Sequence, residues 1–488
     1  MCTPLETGSL IAAEYIGIPA CAIAATGFTD TVYSTGVNNG IPAPRAAEYP
    51  GAFSAHTNDE LIANTRKVVW PQIVEALTKP ITEEEIAKRS KKLGMEEDPR
   101  KILFTGTMDE VSKYFTKMRW SDGLPIAPPT IEKVNEFLKY TERPWDETVA
   151  VLPEAYRDTK VWHVAVNGVM AGCPPEYMPL LLAYTKAIAD PTGRQAFGST
   201  HSWIPYAWIN GPVSRQLGID CGQGMISEPQ NMVLGRFLNL AVQNLAGFYI
   251  KENRMGTFGY TMPWTFAEDE KSCRRIGWDP YHVQKGFELN QNTLTASTSL
   301  VWGNNLIPAT DDPQKIIELM AWDCVEKQMF ALGSSFTNLN TRTILITEYI
   351  ARNLSWQYKT KEDLEADLMA TARRTAYDRA FASYYAHPGT RPSIPFPNFY
   401  KRVIRNEGAE LTAPPPWYPP NFPDVYTLPV IQKPGDTVIL VTGDPDRNKT
   451  QTMNGGGAIT VEIELPANWD KLMAELGYPP LKEFFLEY

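Results

Sequence analysis

An α/β fold is expected for this chain: a partial N-terminal α/β module lacking its first strand, then a larger α/β domain with a mixed sheet. Three observations carry it. Helical and strand-like patterns alternate along most of the 488 residues. Strand, tight turn and helix follow one another more than once. With 43% apolar and 21% charged residues, the chain has the composition of a globular protein with ample core.

The elements follow in order. Leu5 to Ile16 reads as a helix with Cys2-Thr3 directly ahead of it, and Gly17-Ile18-Pro19 turns the chain into the small apolar run Ala20–Ala25, a buried strand. Helix, turn and buried strand are half of a βαβ unit, so a strand ought to precede the helix and end at Cys2. Gly36 to Tyr49, with Asn38-Asn39-Gly40 and several prolines, is expected as an exposed loop near the helix mouths. After Asp59, the residues Leu61, Thr65, Val69, Ile73 and Leu77 keep helical spacing, with Pro71 kinking or dividing the run. Thr82-Glu83-Glu84-Glu85 is a capping box opening a charged helix. A boundary near 95–103 separates a module over 1–98 from a domain over 99–488.

A second capping box, Thr107 to Glu110, starts a helix through Trp120, and Ser121 to Thr130 is an extended, proline-fixed loop. Strands are expected at 148–152 and 162–171, the latter ending in Gly172-Cys173-Pro174-Pro175 before a helix carrying Leu180, Leu181, Tyr184 and Ile188. Further on come a strand at 204–210 and helices at 231–249, 312–331 and 361–385. Strands at 343–347, 437–443 and 459–465 complete the set, and Pro414 to Pro423 is a surface crossing.

Composition excludes several functions. A net charge of −10 with scattered Lys and Arg argues against a nucleic-acid or anionic-membrane surface. No apolar run is long enough for a spanning helix, and no signal peptide is readable, so a cytoplasmic protein is expected. The six cysteines form no CxxC pair, which fits a reducing compartment and leaves no readable zinc site. No GxGxxG follows a strand and no GxSxG elbow is present, so no nucleotide cofactor and no α/β-hydrolase triad are expected.

Four constellations carry possible chemistry. Cys2 at a helix N-terminus meets unpaired N–H groups and the positive end of the helix dipole, which favour a thiolate; the other reading is a frayed terminus. Cys173, at a strand end before a proline-capped helix, repeats that geometry, or packs as a small hydrophobe. Cys21, Cys273 and Cys324 read as structural. Glu268-Asp269-Glu270 crowds three carboxylates beside Trp264 and Phe266, with His282 twelve residues on: a general acid or base in a cleft, or a solvated acidic loop. With His163 and His201 these carboxylates could ligate a metal, though no HxH, HxxxH or HExxH spacing supports one. Gly443 to Thr450 misses the phosphate-cradling loop because Asn448 replaces its second glycine, and too little chain follows for an NTPase; Arg447 and Lys449 could anchor a substrate anion. Tryptophan, 13 in all, is core in the simplest reading.

The N-terminal pattern resembles the UGSC family, named for Sec/Cys-Gly-Ser-Cys followed by Thr at the mouth of such a helix, then Gly-Ile-Pro and a buried strand. Only the final Cys-Thr is present, as Cys2-Thr3, so a dithiol between the motif's two redox positions is excluded within this chain. Residues 100–460 resemble the larger domain of long members, through Asp122-Gly123-Leu124-Pro125, Val164 to Cys173, Asn210-Gly211-Pro212, Ala267 to Glu270, His282 to Phe287 and Gly455-Gly456-Gly457. The resemblance implies the architecture and candidate residues, and the residues lead to the expectation of an enzyme acting on a small organic molecule through thiol redox or nucleophilic chemistry at Cys2 and Cys173. Glu268 or Glu270 with His282 would move protons, and Thr3, Asn210, Arg447 and Lys449 would bind substrate. A half-built module leaves a sheet edge open, so a smaller subunit is expected to complete it in a hetero-oligomer; a start codon upstream of Met1 would give the same pattern. A carboxylate- or metal-dependent lyase or hydratase with inert cysteines is the alternative, and a non-catalytic scaffold subunit is a third.

Overall fold

Helices alternate with strands that build a mixed multi-strand sheet, giving an α/β fold. The computed structural model describes residues 2–90, 98–152, 157–190, 197, 203–250, 254, 256, 263–326, 341–375, 377–378, 381, 384, 395–398, 427–431 and 434–487. The chain divides into two units, one of residues 1–191, 196–202 and 236–260, the other of residues 192–195, 203–235 and 261–488. The expected proline-rich crossing at 414–423 lies outside the described residues. No helix among the described residues is long and apolar enough to cross a membrane.

In the first unit, the helix Cys2–Tyr15 leads into β1 (Ala22–Ala25), and the helix Thr29–Asn38 leads into β2 (Ala46–Tyr49). The two strands pair in parallel, Ala22 opposite Ala46, and among the described residues no third strand joins them. Leu10 and Ile11 pack with Ala22, Ala24 and Val32, while Ala47 and Tyr49 pack against Val69. The stretch expected as a loop from Gly36 to Tyr49 is therefore a loop only over 39–45. Alternate inward side chains at Ala47 and Tyr49 make its end a strand. The helix Trp70–Thr78 holds Pro71 in its first turn, and the π-helical turn Thr65–Val69 ahead of it takes up the interruption that proline imposes. Both expected capping boxes form, at Thr82–Glu85 and Thr107–Glu110.

β3 (Thr148–Leu152) and β4 (Arg157–Lys160) form an antiparallel pair, but the expected strand at 162–171 is a helix, Val161–Ala171. Nine of its eleven residues are buried, so the run is apolar on every side and its periodicity does not tell strand from helix. Gly168 lets it pack closely on its neighbour: a Cβ there would lie 2.5 Å from a Leu181 methyl.

The second unit is built on β5 (Ile204–Asn210), β6 (Trp264–Ala267), β7 (Thr293–Trp302) and β8 (Thr341–Ile346). The short pair β9 (Arg373–Thr375) and β10 (Thr427–Pro429) stands apart, and β9 cuts short the helix expected to run to 385, which ends at Thr371. β11 (Thr437–Val441), β12 (Thr450–Gly455) and β13 (Ile459–Glu462) complete a sheet of order β11-β8-β12-β7-β5-β6, with β13 also on β7. The sheet curls strongly. β5 and β8 are three strands apart, about 14 Å in a flat sheet, yet the Tyr206 hydroxyl donates to Thr343 Oγ1 at 2.7 Å. Curling encloses Tyr206, Trp208, Phe266, Leu345, Leu440 and Met453 in one core cluster.

β7 pairs with β12 along its second half and with β13 along its first, and the handover falls at Gly455, where the register shifts. A Cβ at Gly455 would stand 1.6 Å from the Thr298 carbonyl oxygen, which is backbone and cannot swing away. The Gly455→Ala variant is expected to lose about 3 kcal/mol of stability by overpacking, measured by urea unfolding of the full chain; an unchanged midpoint would contradict this packing.

Candidate functional site

The parallel register of β5 and β6 sets Ile209 opposite Ala267, so the next residues, Asn210 and Glu268, meet at the carboxyl ends of the two strands. Open α/β sheets place ligands at such ends. Asn210 Nδ2 donates to Glu268 Oε2 at 2.8 Å and to Glu270 Oε1 at 3.3 Å. Both carboxylates are buried, and each has its own cation: Lys361 Nζ lies 2.7 Å from Glu268 Oε1, and Arg215 Nη1 pairs with Glu270 Oε2. Backbone N–H groups add to this, Tyr281 donating to Glu268 at 2.7 Å and Gly211 to Glu270 at 2.8 Å. The acidic stretch is therefore not a solvated loop at Glu268 and Glu270. Asp269 instead caps the helix Glu270–Ile276.

His282 is buried beside this pair. Its Nε2 lies 3.1 Å from the Leu289 carbonyl, and since a carbonyl only accepts, Nε2 carries the hydrogen. Nδ1 then faces Glu270 Oε1 at 3.4 Å and makes no hydrogen bond, while Asn210 Oδ1 is likewise buried without one. Two acceptors, His282 Nδ1 and Glu270 Oε1, thus face one another across 3.4 Å.

A cavity of about 190 Å³ in the same unit is lined by Tyr281, Lys361, Glu365, Gly435 and Thr437 among others. Lys361 reaches both this cavity and Glu268. Burial works against its ammonium, but the Cys273 sulfur and the Glu268 carboxylate outweigh that and raise its pKa above the usual lysine value. Glu365, one turn on, is held in place by the N–H groups of Gly435 at 3.0 Å and Thr437 at 2.8 Å.

Of the residues singled out from sequence, Asn210, Glu268, Glu270 and His282 come together here. Arg447 and Lys449 do not: both are exposed, Arg447 ion-paired to Asp444 at 3.4 Å, so neither anchors an anion at this cluster. Cys173 also needs correction. It follows the C-terminus of a helix capped by left-handed Gly172, not the end of a strand, and burial pushes its thiol well up. Cys2 is the first residue of its helix; the side chains of Cys2 and Thr3 lie outside the described residues, as does His201. His163 accepts from the Lys160 N–H at its own helix start. Among the described residues no group of three or more His, Cys, Asp and Glu is arranged for a metal ion.

Sequence reasoning passed over Lys361, Arg215, Glu365 and Cys221. The Cys221 thiol is pushed up to about 12, by burial first and then by Asp269, Asp220 and Glu270. Comparison with family models, with curated proteins and with solved structures finds no match for this chain.

Burial also raises Cys21, Cys273 and Cys324. Iodoacetamide at pH 8 should therefore alkylate native Cys221 on the order of a thousandfold more slowly than a free cysteine. Peptide mass spectrometry reads the rate, and labelling of Cys221 as fast as free cysteine would overturn the assignment.

Proposed function

We propose that this chain is an enzyme that adds or removes water, or an equivalent small group, on a small organic molecule by acid–base chemistry, the lyase or hydratase class. The observation that supports it is Lys361: its buried ammonium is paired with Glu268, and the residue lines a cavity that Glu365, one helical turn on with its carboxylate oriented by Gly435 and Thr437, also lines. Glu365 takes a proton from substrate carbon as the C–H electron pair forms the double bond. Lys361 gives its proton to the departing hydroxide, which leaves as water. The Glu268–Asn210–Glu270–His282 network holds Lys361 in position. The substrate class is a small hydroxy acid or its unsaturated partner, whose carboxylate suits an ammonium in the cavity.

Deuterium exchange tests this without knowing the substrate. A panel of small hydroxy acids and unsaturated acids in heavy water should show enzyme-dependent uptake at carbon, read by mass spectrometry. E365Q should abolish it, H282N should lower it at least tenfold, and alanine at Cys173, Cys221, Cys273 and Cys324 should leave it unchanged. A wild type inert across the panel, or an E365Q enzyme as active as wild type, sinks the reading. One observation favours a second reading, thiol chemistry at Cys2: that residue opens a 14-residue helix, where the dipole favours a thiolate. Loss of activity in C2A with E365Q unaffected would give the reaction to the sulfur.

We further propose that a strand from a smaller polypeptide joins the first unit beside β1. A parallel sheet of two strands is far below the size at which such sheets are stable, and Ile23 on β1 is 39% exposed. In native mass spectrometry of material purified from its source, wild type should carry a smaller chain in fixed ratio. Ile23→Lys should lose it while keeping its melting temperature; a monomeric wild type would refute the association.

A further inference from the structure

The first unit holds a cavity of about 650 Å³, within the range of small-molecule sites and separate from the residues assigned above. Phe115, Trp120, Trp162 and Met170 line it. The lining also takes in Ile102, Leu103, Phe104 and Met108, and all four of these are exposed. Large apolar side chains gathered in water at one place mark an interaction site, where scattered ones need no explanation. The charged residues of the lining, Arg100, Lys101, Glu132 and Lys133, are exposed as well, so the buried part of the wall carries no charge. Such a wall suits an uncharged ligand, because an ion set against it would lose its water without gaining a partner.

Trp162, Asn167 and Met170 are the buried part of that wall, and all three come from the helix Val161–Ala171. Asn167 is its one polar side chain, in a helix whose other buried residues are apolar. Its hydrogen bonds can be counted. Nδ2 donates to the His163 carbonyl at 2.9 Å, and Oδ1 accepts from Asn244 Nδ2 at 2.8 Å. A carboxamide has two hydrogens and two lone pairs on its oxygen. One hydrogen and one lone pair, side by side on a single planar group, therefore find no partner among the described residues, although Asn167 is only 4% exposed. A buried group with capacity left over in a cavity wall is one that a ligand can complete.

The facing wall is held under constraint. Arg119 has φ of +59°, a left-handed conformation that a residue with a Cβ adopts only at a cost. Three carbonyls of this turn are tied down from one place. Gln243 donates to Arg119 O at 2.6 Å and Ser121 O at 3.1 Å, and Asn244 donates to Trp120 O at 2.8 Å. Gln243 and Asn244 belong to the π-helical turn Ala241–Leu245, a wide turn that recurs at functional sites. Two uncommon local geometries are thus joined, and Asn244 links both to Asn167. Their common product is a fixed indole, Trp120, in the same wall as the incompletely bonded carboxamide.

We propose that this cavity binds an uncharged, flat fused-ring molecule with a lactam edge, a C=O beside an N–H. The rings lie among Phe115, Trp120 and Trp162, where aromatic faces and edges add to the area buried. The lactam edge meets Asn167, its carbonyl accepting the spare amide hydrogen and its N–H donating to the spare lone pair.

Equilibrium dialysis of the full chain against 2-quinolone tests this, with 2-methoxyquinoline, the same two rings with the lactam edge methylated, as the counterpart. Wild type should bind 2-quinolone saturably and 2-methoxyquinoline at least tenfold more weakly, because the methyl ether leaves the Asn167 oxygen unpaired. Val166→Trp, which fills the cavity from a half-buried wall position, should abolish binding of both. Asn167→Leu should remove the preference, binding the two compounds equally. If Asn167→Leu does not fold, the two compounds compared on wild type still decide. No saturable binding by wild type, equal affinity of wild type for the two compounds, or undiminished binding by Val166→Trp would each overturn the proposal.

Discussion

Two carboxylates taken out of water, Glu268 and Glu270, set the arrangement of the second unit. An ionised carboxylate in a protein interior costs far more than a fold can spare unless it is paired and hydrogen-bonded. Glu268 receives Lys361 and the Cys273 thiol on one oxygen, and Asn210 and the Tyr281 N–H on the other. Those four donors come from four different elements, so the carboxylate fixes where the helix at Lys361, the β5 end and the Tyr281 turn stand. Removing one partner of such a buried pair typically costs about 3–5 kcal/mol, because the other charge is stranded. Glu270 is tied just as firmly to Gly211 and Arg215, and only its face toward His282 lacks a completed hydrogen bond. Asn210 Oδ1 is the other buried atom of this network without a hydrogen bond.

The sequence showed half of this network. Glu268, Glu270 and His282 lie within fifteen residues of each other, and local crowding of carboxylates near aromatic residues can be read directly. Lys361 and Arg215 are 93 and 55 residues away from their partners, and only the curled sheet brings them in. Lys361 also reads as an ordinary first-turn helix residue after Thr360, with nothing local to mark it as buried. The longest strand, β7, was not legible for a related reason. Its sequence, Thr293 to Trp302, is rich in Ser and Thr, which read as polar loop, whereas buried strands accommodate them when hydroxyls find partners such as Gly456 O for Ser297. The opposite error occurred at Val161–Ala171, where an unbroken apolar run fits a buried strand or a buried helix equally well.

Thiol chemistry was the sequence's first suggestion, and the environment of the sulfurs weighs on it. A cysteine becomes a nucleophile where positive potential and partial exposure favour the anion. At Cys221 the neighbours are Asp220, Asp269 and Glu270, so the field acts in the wrong direction, and burial adds to it. Cys173 and Cys324 are buried without enough positive charge to compensate. Burial is the first cause that silences these thiols, whereas Glu268 beside Lys361 helps it remain an ammonium in a dry site. The proposed acid–base reading of the second unit rests on that contrast.

The geometry narrows how the two carboxylates can act on one another. Asn210 bridges the two carboxylates, but an amide donates both hydrogens permanently and relays no proton at neutral pH, so it couples Glu268 and Glu270 by position and field. Glu270, and His282 beside it, therefore bear on Glu268 and on Lys361 through Asn210. In the proposed reading His282 is a positioning residue, and Lys361 and Glu365, one helical turn apart on the cavity wall, are the acid and the base.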